Sequence, residues 1–422
     1  MSRKLLKKRS LLVVGLVLTT VCFLAAEIFQ DKLSDLADES QPFQSGKRNQ
    51  LEDKIANYTK KFAINWYCKL PQGMTAWQLA ESWITSRHIT DPSESNKLGC
   101  VLAAMRNERI THADTSAKGT QLKVTLTVES GQMLVMKPKA YSGDYVMVGT
   151  AYAGKDRHNA EIAAFHLNRI IGLNRAPIIV GRKVDLESEL RPVAHKNLLN
   201  TYYYQDGNSC FYGKCHYCKG PETGVCAERT NMEGSLSLWF PNSYILSKPL
   251  PHPWRRTYRP NKPAVWEKDG SYCTTVKNTR PYETPPRLLD LIDLSIFDFI
   301  ISNADRHHYE TFEYSKDSIV VALDNGKSFG NPYTDEITIL MPLLQCCTIR
   351  RSTYDKLSDL SEGVLGQVFF QVLQTEPLAP LLTPQHFLAV DRRLQIIIRT
   401  VSDCITKKKG IEADVLVDDG YV

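Results

Sequence analysis

The sequence predicts an α+β fold with two lobes, one rich in β-strands and one mostly helical. Two observations predict it. In "LKVTLTVESGQMLVMK", residues 122–137, apolar and polar side chains alternate on both sides of Ser130-Gly131, as in a hairpin with a tight turn. Toward the C-terminus helical patterns dominate. The strongest, "RLLDLIDLSIFDFII" at 287–301, repeats its apolar residues with the spacing of one helix face.

Four further segments complete the predicted order. "WQLAESWIT" (77–85) predicts a helix, and "NAEIAAFHLNRIIG" predicts another, with Asn159 as its N-cap and Gly172 as its stop signal. "APIIVGRKVDL" (176–186) predicts a strand, and "IVVAL" (319–323) predicts a short buried strand. A β-rich part with one helix is thus followed by a mostly helical part.

The composition is that of an ordinary globular protein, because 43% of the 422 residues are hydrophobic and 23% are charged. The formal net charge is +6, and part of this excess comes from five cations within residues 1–9. Since the remainder is close to balanced, we expect no nucleic-acid partner.

The N-terminus predicts a membrane anchor. Residues 10–26 carry no charge, five cations precede them, and Glu27 follows. This arrangement favours a type II anchor, with residues 1–9 as a cytosolic tail and the rest of the chain in the lumen of the secretory pathway. A cleaved signal peptide is the alternative.

The rest of the chain divides into a stem and two lobes. Residues 27–60 are polar with little periodicity and predict a stem. We expect the N-lobe over 61–236, with an N-terminal helical extension and a cysteine-rich insertion, and the helical C-lobe over 237–422.

The eleven cysteines agree with a luminal location. Cys22 lies in the predicted anchor, and the ten others form an even number, which predicts disulfides in an oxidising compartment. The cluster "CFYGKCHYCKGPETGVC" (210–226) could instead hold zinc through four thiolates, but its spacing lacks the paired C-x-x-C repeat of such sites. Asn57, in "NYT", is a candidate glycosylation site.

The stretch "ISNADRHHYETF" (301–312) carries the candidate chemistry. The polar loop "NADRHHYE" follows the long helix, and a short apolar run then leads to "LDNGKSFG". A kinase catalytic loop and its metal-binding loop have this order. Asp305 is the candidate base, and Asp324 is the candidate metal ligand. Glu310 stands where protein kinases place an Asn.

Upstream residues supply the other parts of a phosphotransferase site. Lys137, in "LVMK", resembles the lysine of the V-A-I-K strand in protein kinases. Asp156 and Glu161 lie at the start of the next helix, where a kinase places the acid that pairs with this lysine, and we favour Asp156. Phosphoryl transfer needs these residue types because it depends on positioning and charge neutralisation around a triphosphate. The G-x-G-x-x-G loop is missing, and "DNG" lacks the Phe of D-F-G.

Simpler interpretations exist for each residue. Asp305 could cap the helix, Lys137 could be a solvated strand-end lysine, and Asp324 could begin a plain turn. His307 and His308 could bind a metal. However, adjacent side chains rarely converge on one ion, and oxygen ligands suit Mg²⁺ or Mn²⁺ better. The shared order of the motifs favours phosphoryl transfer.

Three aromatic residues have an open role. Trp254, Tyr258 and Trp266 lie in a segment with many Pro, Trp and Arg residues and few periodic runs. They could pack within the lobe, or they could line a sugar site, because aromatic rings stack on pyranoses. The sequence does not separate these roles.

Seven segments together resemble the Golgi secretory-pathway kinases, a family that includes a casein kinase, a glycosaminoglycan xylosylkinase and a pseudokinase activator. The segments are "KGTQLK", "DRHNAEIAAFHL", "CFYGKCHYC", "EGSLSLW", "NADRHHYE", "LDNGKSFGNP" and "QCC". The resemblance covers about residues 66–410. Asp156 in "YAGKDRHNAE", together with "KSFGNP", is most similar to the xylosylkinase branch, since the casein-kinase branch usually has Glu and the pseudokinase branch has Gln at the Asp156 position.

The resemblance implies a two-lobed, atypical protein-kinase-like fold that uses ATP and Mn²⁺, with Mg²⁺ as an alternative. It implies that Asp305 is the catalytic base and that Asp156 and Asp324 bind the metal. The implied nucleotide contacts are Gln121, Lys137, Glu310, Asp324 and the hinge residues Ser237, Leu238, Trp239 and Phe240. The implied disulfides are Cys210–Cys226, Cys215–Cys218, Cys273–Cys346 and Cys347–Cys404, and counting leaves Cys68 to pair with Cys100.

The resemblance also implies a function and a location. The implied activity is an ATP-dependent kinase, held at the Golgi membrane with its catalytic domain in the lumen. Its acceptor would be the 2-hydroxyl of xylose in the xylose–galactose linkage glycan on proteoglycan core proteins. The alternatives are a secretory-pathway Ser kinase for acidic motifs and a non-catalytic, pseudokinase-type activator.

Overall fold

The computed structural model describes residues 45–116, 119–259 and 261–421. The predicted cytosolic tail, the membrane anchor and the stem up to residue 44 lie outside these ranges. Within them, no helix is both long and apolar enough to cross a membrane. The described residues from Ala56 onward form one compact unit, and those up to Ile55 belong to another.

Helices dominate the second half of the described chain, as the sequence predicts. The helices are α1 Ser45–Phe62, α2 Ala76–Ser82, α3 Leu98–Asn107, α4 His158–Ile170, α5 Lys196–Leu199, α6 Val265–Lys268, α7 Tyr272–Lys277, α8 Arg287–Ile301, α9 Met341–Cys346, α10 Arg351–Asp359, α11 Val364–Leu373 and α12 Pro384–Lys407.

Strands are concentrated in the first half. The strands are β1 Ile110–Thr115, β2 Val124–Val128, β3 Met133–Pro138, β4 Ile179–Asp185, β5 Tyr202–Gln205, β6 Asn208–Phe211, β7 Val225–Cys226, β8 Asn231–Leu238, β9 Leu250–Pro251, β10 His308–Tyr309, β11 Ile349–Arg350 and β12 Leu416–Val417.

The N-lobe is built on an antiparallel sheet of five strands in the order β1-β2-β3-β8-β4. The predicted hairpin is β2–β3, with Val124 opposite Met136. Val124, Leu126 and Val128 are fully buried because their side chains share one face of the strand. Helix α4 packs on β4 and β8, and on α11 of the C-lobe. The two predicted lobes are therefore joined through α4 as well as through the hinge.

Helix α8 forms the centre of the C-lobe. It begins after Pro286, and it ends where Ser302 adopts a left-handed backbone conformation (φ 59°). All of its residues are buried, which explains the apolar run in the sequence, and it packs on α9 and α12. The catalytic loop predicted from the sequence starts directly after it.

Helix α8 also carries buried carboxylates that arginines neutralise. Asp290 Oδ1 lies 2.6 Å from Arg87 and 3.0 Å from Arg350, and the Asp290 side chain is 0% exposed. Arg350 also pairs with Asp293 on the next turn of the helix and with Asp419 near the C-terminus. The network comprises Arg87, Arg175, Arg350, Asp290, Asp293 and Asp419. It therefore ties the N-terminal extension and the C-terminal segment to the central helix.

Five disulfides link the described cysteines, and they are the four pairs that the family resemblance implies and the fifth pair that counting leaves. No thiolate remains in the cysteine-rich insertion for a zinc site. The pairs are Cys68–Cys100, Cys210–Cys226, Cys215–Cys218, Cys273–Cys346 and Cys347–Cys404.

The end of the predicted stem is helical rather than irregular. Helix α1 includes residues 45–60, and its apolar residues at 51, 55, 58 and 62 recur with helical spacing. This weak periodicity is obscured by the many charged residues around it. Thr59 Oγ1 donates to Gln371 Oε1 of α11 (2.7 Å), so the end of α1 is attached to the C-lobe. Asn57 is exposed on α1.

Two local predictions were wrong, and one strand was not predicted. Helix α4 begins two residues earlier than expected, with Arg157 rather than Asn159 at the N-cap, and the backbone before it is fixed because Arg157 N–H donates to the Gly326 carbonyl. Residues 319–323 form one isolated bridge, Val321 to Glu310, because the catalytic loop supplies a single partner position. Strand β1 was not predicted, because its apolar residues do not alternate regularly.

The buried network predicts a large stability loss when one partner is removed. In Arg350→Met the three aspartates keep their burial but lose their central cation, which destabilises a fold by about 3–5 kcal/mol. Chemical denaturation would measure this loss. Arg280→Ala is the matched control, because the Arg280 side chain is 89% exposed in its pair with Glu283, and an exposed pair contributes about 0–1 kcal/mol. Equal effects of the two variants would contradict this assignment.

A second stability effect depends on pH. Asp391 of α12 accepts a hydrogen bond from the Gly366 N–H (2.8 Å) on one oxygen, while its other oxygen is buried without a partner. Burial raises the pKa of Asp391 to about 7, despite that hydrogen bond. The folded state therefore holds this proton more tightly than the unfolded state, whose carboxyl has its ordinary pKa, and stability is lost as pH rises from that ordinary pKa to about 7.

We expect Asp391→Asn to remove this pH-dependent penalty, because the amide keeps an oxygen for the Gly366 N–H and carries no charge. Melting temperatures of the variant and the wild type, measured between pH 4 and 8, would test it. The variant should gain stability relative to the wild type as pH rises. A difference that stays constant across this range would contradict the raised pKa.

Candidate active site

Three carboxylates surround the ammonium group of Lys137. Its Nζ lies 2.7 Å from Asp156 Oδ2, 2.5 Å from Glu161 Oε1 and 2.6 Å from Asp324 Oδ1. The lysine comes from β3, Asp156 precedes α4, Glu161 lies in the first turn of α4, and Asp324 opens the "DNG" loop. The structure thus brings together three residues singled out as site residues in the sequence, and it adds Glu161.

The local structure explains why these side chains meet. Lys137 pairs with Ser235 in the sheet, so its side chain points away from the face that buries Met136. The Asn325 N–H donates to Glu161 Oε2 (3.2 Å), which connects the "DNG" loop to α4. A Cβ at Gly326 would lie 2.7 Å from the Asp156 Cβ. The glycine of "DNG" is therefore needed for the close approach of Asp156.

Asp156, Glu161 and Asp324 form an acidic cluster whose negative charges outnumber the single positive charge of Lys137. Burial raises the pKa of Asp156 to about 6, although the charge of Lys137 acts in the opposite direction. The charge of Lys137 holds the pKa of Asp324 below its ordinary value, and 72% of this side chain is exposed. Burial disfavours the charged form of Lys137, but its acidic partners together raise its pKa well above the usual range. One ammonium group thus faces three carboxylates.

The acidic cluster has the chemistry of a divalent-cation site. One oxygen from each of Asp156, Glu161 and Asp324 lies within 4.8 Å of the other two. Mn²⁺ and Mg²⁺ prefer carboxylate oxygens, and the excess negative charge would favour either ion. The sequence had ranked Glu161 behind Asp156. Its position at the start of the helix that follows Lys137, where a kinase places the acid that pairs with the lysine, was the signal for this role.

The catalytic loop is held by a buried arginine. Arg306 makes two bonds to Asp298 of α8 (2.9 and 2.8 Å) and one to Asn325 Oδ1 (2.7 Å), and it also donates to the Leu323 carbonyl. These contacts connect the catalytic loop to α8 and to the "DNG" loop. Asp305, the preceding residue, is 28% exposed at its side chain and is thus open to a substrate.

Tyr258 contacts the candidate base. Its hydroxyl donates to Asp305 Oδ1 (2.6 Å), and its ring meets His307 edge-on with centroids 5.8 Å apart. The rings of His307 and His308 meet edge-on with centroids 4.5 Å apart, and neither residue is part of the acidic cluster. Both residues belong to the catalytic loop, between Arg306 and Tyr309.

The predicted nucleotide residues lie on several elements. Ser237 and Leu238 end β8, Trp239 N–H donates to the Met133 carbonyl (3.1 Å), and Phe240 packs edge-on against the ring of Phe312. The predicted boundary between the lobes, between residues 236 and 237, thus falls within β8, which ends at Leu238.

Gln121 and Glu310 complete the predicted set. Gln121 is half-buried in the loop before β2. Burial and the charge of Asp324 raise the pKa of Glu310, whereas Lys123 acts in the opposite direction. Lys123 also lowers the pKa of Asp324. Lys123 therefore contributes positive charge near the acidic cluster, and sequence reasoning missed it although it lies two residues after Gln121.

A small, open apolar recess of about 90 Å³ lies against the predicted hinge. Its lining includes Trp77 and Glu81 of α2, Gln132, and the hinge residues Trp239 and Phe240. The acidic cluster and Asp305 do not contribute to its walls. The concentration of charge around Lys137 therefore marks the candidate active site better than the size of this recess does.

Comparisons with known proteins agree with this geometry. A family described as "Golgi casein kinase, C-terminal, Fam20" matches residues 75–413. Glycosaminoglycan xylosylkinase from Homo sapiens is 50% identical over 344 residues, which are 81% of this chain and 83% of that protein. The enzyme of that name from Danio rerio is 49% identical over the same shares of the two chains.

Solved structures of the same family also resemble this chain. The structure of hydra Fam20 with sugar superposes with a TM-score of 0.79 at 46% identity, covering 82% of this chain and 99% of that chain. The Golgi casein kinase with Mn/ADP bound superposes with a TM-score of 0.77 at 30% identity, covering 94% of each chain. The fold is therefore the two-lobed, kinase-like fold expected from the sequence, and the chain belongs to the Golgi casein kinase (Fam20) family.

Proposed function

We propose that this chain transfers the γ-phosphate of ATP to the 2-hydroxyl of xylose in the xylose–galactose linkage glycan of proteoglycans. The observation that carries the proposal is an intact Lys137–carboxylate cluster beside a catalytic loop, in a chain half identical to human glycosaminoglycan xylosylkinase. The reaction would take place in the Golgi lumen, with the chain held by a type II anchor within residues 10–26 and with Asn57 glycosylated.

Asp305 would serve as the general base. The acceptor hydroxyl would give its proton to the Asp305 carboxylate while its oxygen forms a bond to the γ-phosphorus. The bond from that phosphorus to the β–γ bridging oxygen breaks, and ADP leaves. Because the Asp305 side chain is partly exposed, a hydroxyl group from outside the protein can reach it.

The remaining residues would bind the nucleotide and its metal. Asp156, Glu161 and Asp324 would hold Mn²⁺, or Mg²⁺ as an alternative, and this ion supplies charge neutralisation for the triphosphate when bound. The proposed nucleotide contacts are Gln121, Lys137, Glu310, Asp324 and the hinge residues Ser237, Leu238, Trp239 and Phe240. One lysine among three carboxylates leaves a site that suits a metal ion, and this supports catalysis over a role as a non-catalytic activator.

The acceptor is tested by offering two substrates side by side with Mn–ATP. We expect the wild-type chain to phosphorylate a xylosyl–galactose acceptor and to leave casein unlabelled. Asp305→Ala should lower the rate by about 10²- to 10⁴-fold, because a positioned general base contributes that much. Transfer of labelled phosphate measures both.

Two outcomes would contradict the proposal. Labelling of casein but not of the sugar would indicate a Ser protein kinase, and no transfer to either substrate would indicate a non-catalytic activator. An unchanged rate in Asp305→Ala would remove Asp305 from its role as base.

The metal assignment predicts that Glu161→Gln weakens Mn²⁺ binding on the order of tenfold, because the number of charged ligands sets the affinity of such sites. Electron paramagnetic resonance of free Mn²⁺, without nucleotide, would measure it. Glu233→Gln is the matched control, since Glu233 binds Lys139 (2.8 Å) on the same sheet but outside the cluster. Wild-type affinity in Glu161→Gln would exclude Glu161 as a ligand.

A further inference from the structure

The segment before Tyr258, residues 250–257, is hydrogen-bonded to the catalytic loop through its first residues. Strand β9 pairs with β10 of that loop, with Leu250 opposite Tyr309 and Pro251 opposite His308. The His252 N–H then donates to the His307 carbonyl (3.0 Å). Since these bonds join backbone to backbone, this segment and the catalytic loop are held at a fixed separation.

Two buried tryptophans hold the segment from the other side. Trp254 Nε1 donates to Gln345 Oε1 of α9 (2.7 Å), and Trp266 Nε1 donates to the Arg255 carbonyl (3.0 Å). The exposed fractions are 6% for Trp254 and 3% for Trp266. The sequence left packing and sugar binding open for both residues, and their burial favours packing. The backbone that leads to Tyr258 is therefore anchored on the C-lobe.

Tyr258 differs from these tryptophans because it faces the candidate base and is 38% exposed. Its backbone adopts a left-handed conformation (φ 55°), which is unusual for a bulky residue and concentrates at functional sites. Its ring meets Tyr152 edge-on at 4.8 Å, and its oxygen lies 3.3 Å from His307 Nδ1. The side chain is thus held by contacts on both of its sides.

The hydrogen bond to Asp305 occupies only one carboxylate oxygen. Tyr258 donates to Oδ1, and no side chain or backbone N–H among the described residues donates to Oδ2. Burial and the bond to Asp305 both raise the pKa of Tyr258 above its ordinary value, so its hydroxyl stays protonated and keeps donating. The Asp305 N–H donates to Asn303 Oδ1 (3.1 Å), which fixes the backbone of the same residue.

We propose that Tyr258 is a positioning residue that fixes the Asp305 carboxylate through Oδ1 and leaves Oδ2 to take the proton of the acceptor hydroxyl. The proposal rests on the function proposed above, in which Asp305 is the base. It assigns Tyr258 to the orientation of the base and not to contact with the sugar. A base that is held in one rotamer loses less freedom when the acceptor binds, and this raises the rate of transfer.

The test is the steady-state kinetics of Tyr258→Phe with Mn–ATP and the xylosyl–galactose acceptor. We expect kcat to fall about tenfold, while the acceptor KM and the affinity for Mn–ATP change by less than about twofold. Tyr258→Ala should lose a similar factor in kcat, because both variants lack the hydroxyl. A melting temperature and the Mn–ATP affinity, measured for each variant, show that the fold is kept.

Tyr282→Phe is the matched control. It also removes one tyrosine hydroxyl next to the catalytic loop, but that hydroxyl is bonded to the Tyr309 hydroxyl (3.0 Å). Its kcat should equal that of the wild type.

The outcomes separate this proposal from the proposed function. A wild-type kcat in Tyr258→Phe, with Asp305→Ala inactive, would overturn the role of Tyr258 alone. A raised acceptor KM at unchanged kcat would also overturn it and would indicate direct contact with the sugar. A far larger kcat loss in Tyr258→Ala than in Tyr258→Phe would assign the effect to the ring and not to the hydroxyl. If the wild type transferred no phosphate to any acceptor, both proposals would fail.

Discussion

The candidate active site depends on the charge contacts between Lys137 and three carboxylates. Asp156, Glu161 and Asp324 come from two parts of the sequence that are more than 160 residues apart, and each lies within 2.7 Å of the same ammonium group. A single lysine cannot neutralise three carboxylates, of which Asp156 and Glu161 are buried and Asp324 is exposed. The folded chain therefore keeps a net negative centre, at a cost in stability, and a divalent cation would restore the balance of charge there.

Much of the fold could be predicted because many helices and strands are determined by the apolar and polar pattern of their own residues. Alternation predicted the β2–β3 hairpin, and a continuous apolar face predicted α8. Prediction failed where the deciding contacts are distant. The start of α4 depends on a bond from Arg157 to Gly326 in the other lobe, and helix α1 carries too few apolar residues to stand out from its charged neighbours. The burial of acidic residues on α8 could not be predicted either, because it depends on arginines from other elements, such as Arg306 for Asp298.

The sequence also indicated the chemistry of the candidate active site, but not all of its residues. The order of Lys137, Asp305 and Asp324 along the chain was sufficient to indicate phosphoryl transfer, since kinase chemistry requires those residue types in that order. Tyr258 could not be assigned from the sequence. It lies 47 residues before Asp305, and its role depends on the pairing of β9 with β10, two strands of two residues each that leave no periodic signal.

The most direct test of the account is the position of a bound metal. Crystals grown with Mn²⁺ and ADP and measured at the manganese absorption edge would locate the ion by its anomalous scattering. We expect one strong peak with oxygen ligands from Asp156, Glu161 and Asp324. A peak bound elsewhere, or an acidic cluster that still holds Lys137 and no metal at saturating Mn²⁺ and ADP, would contradict it.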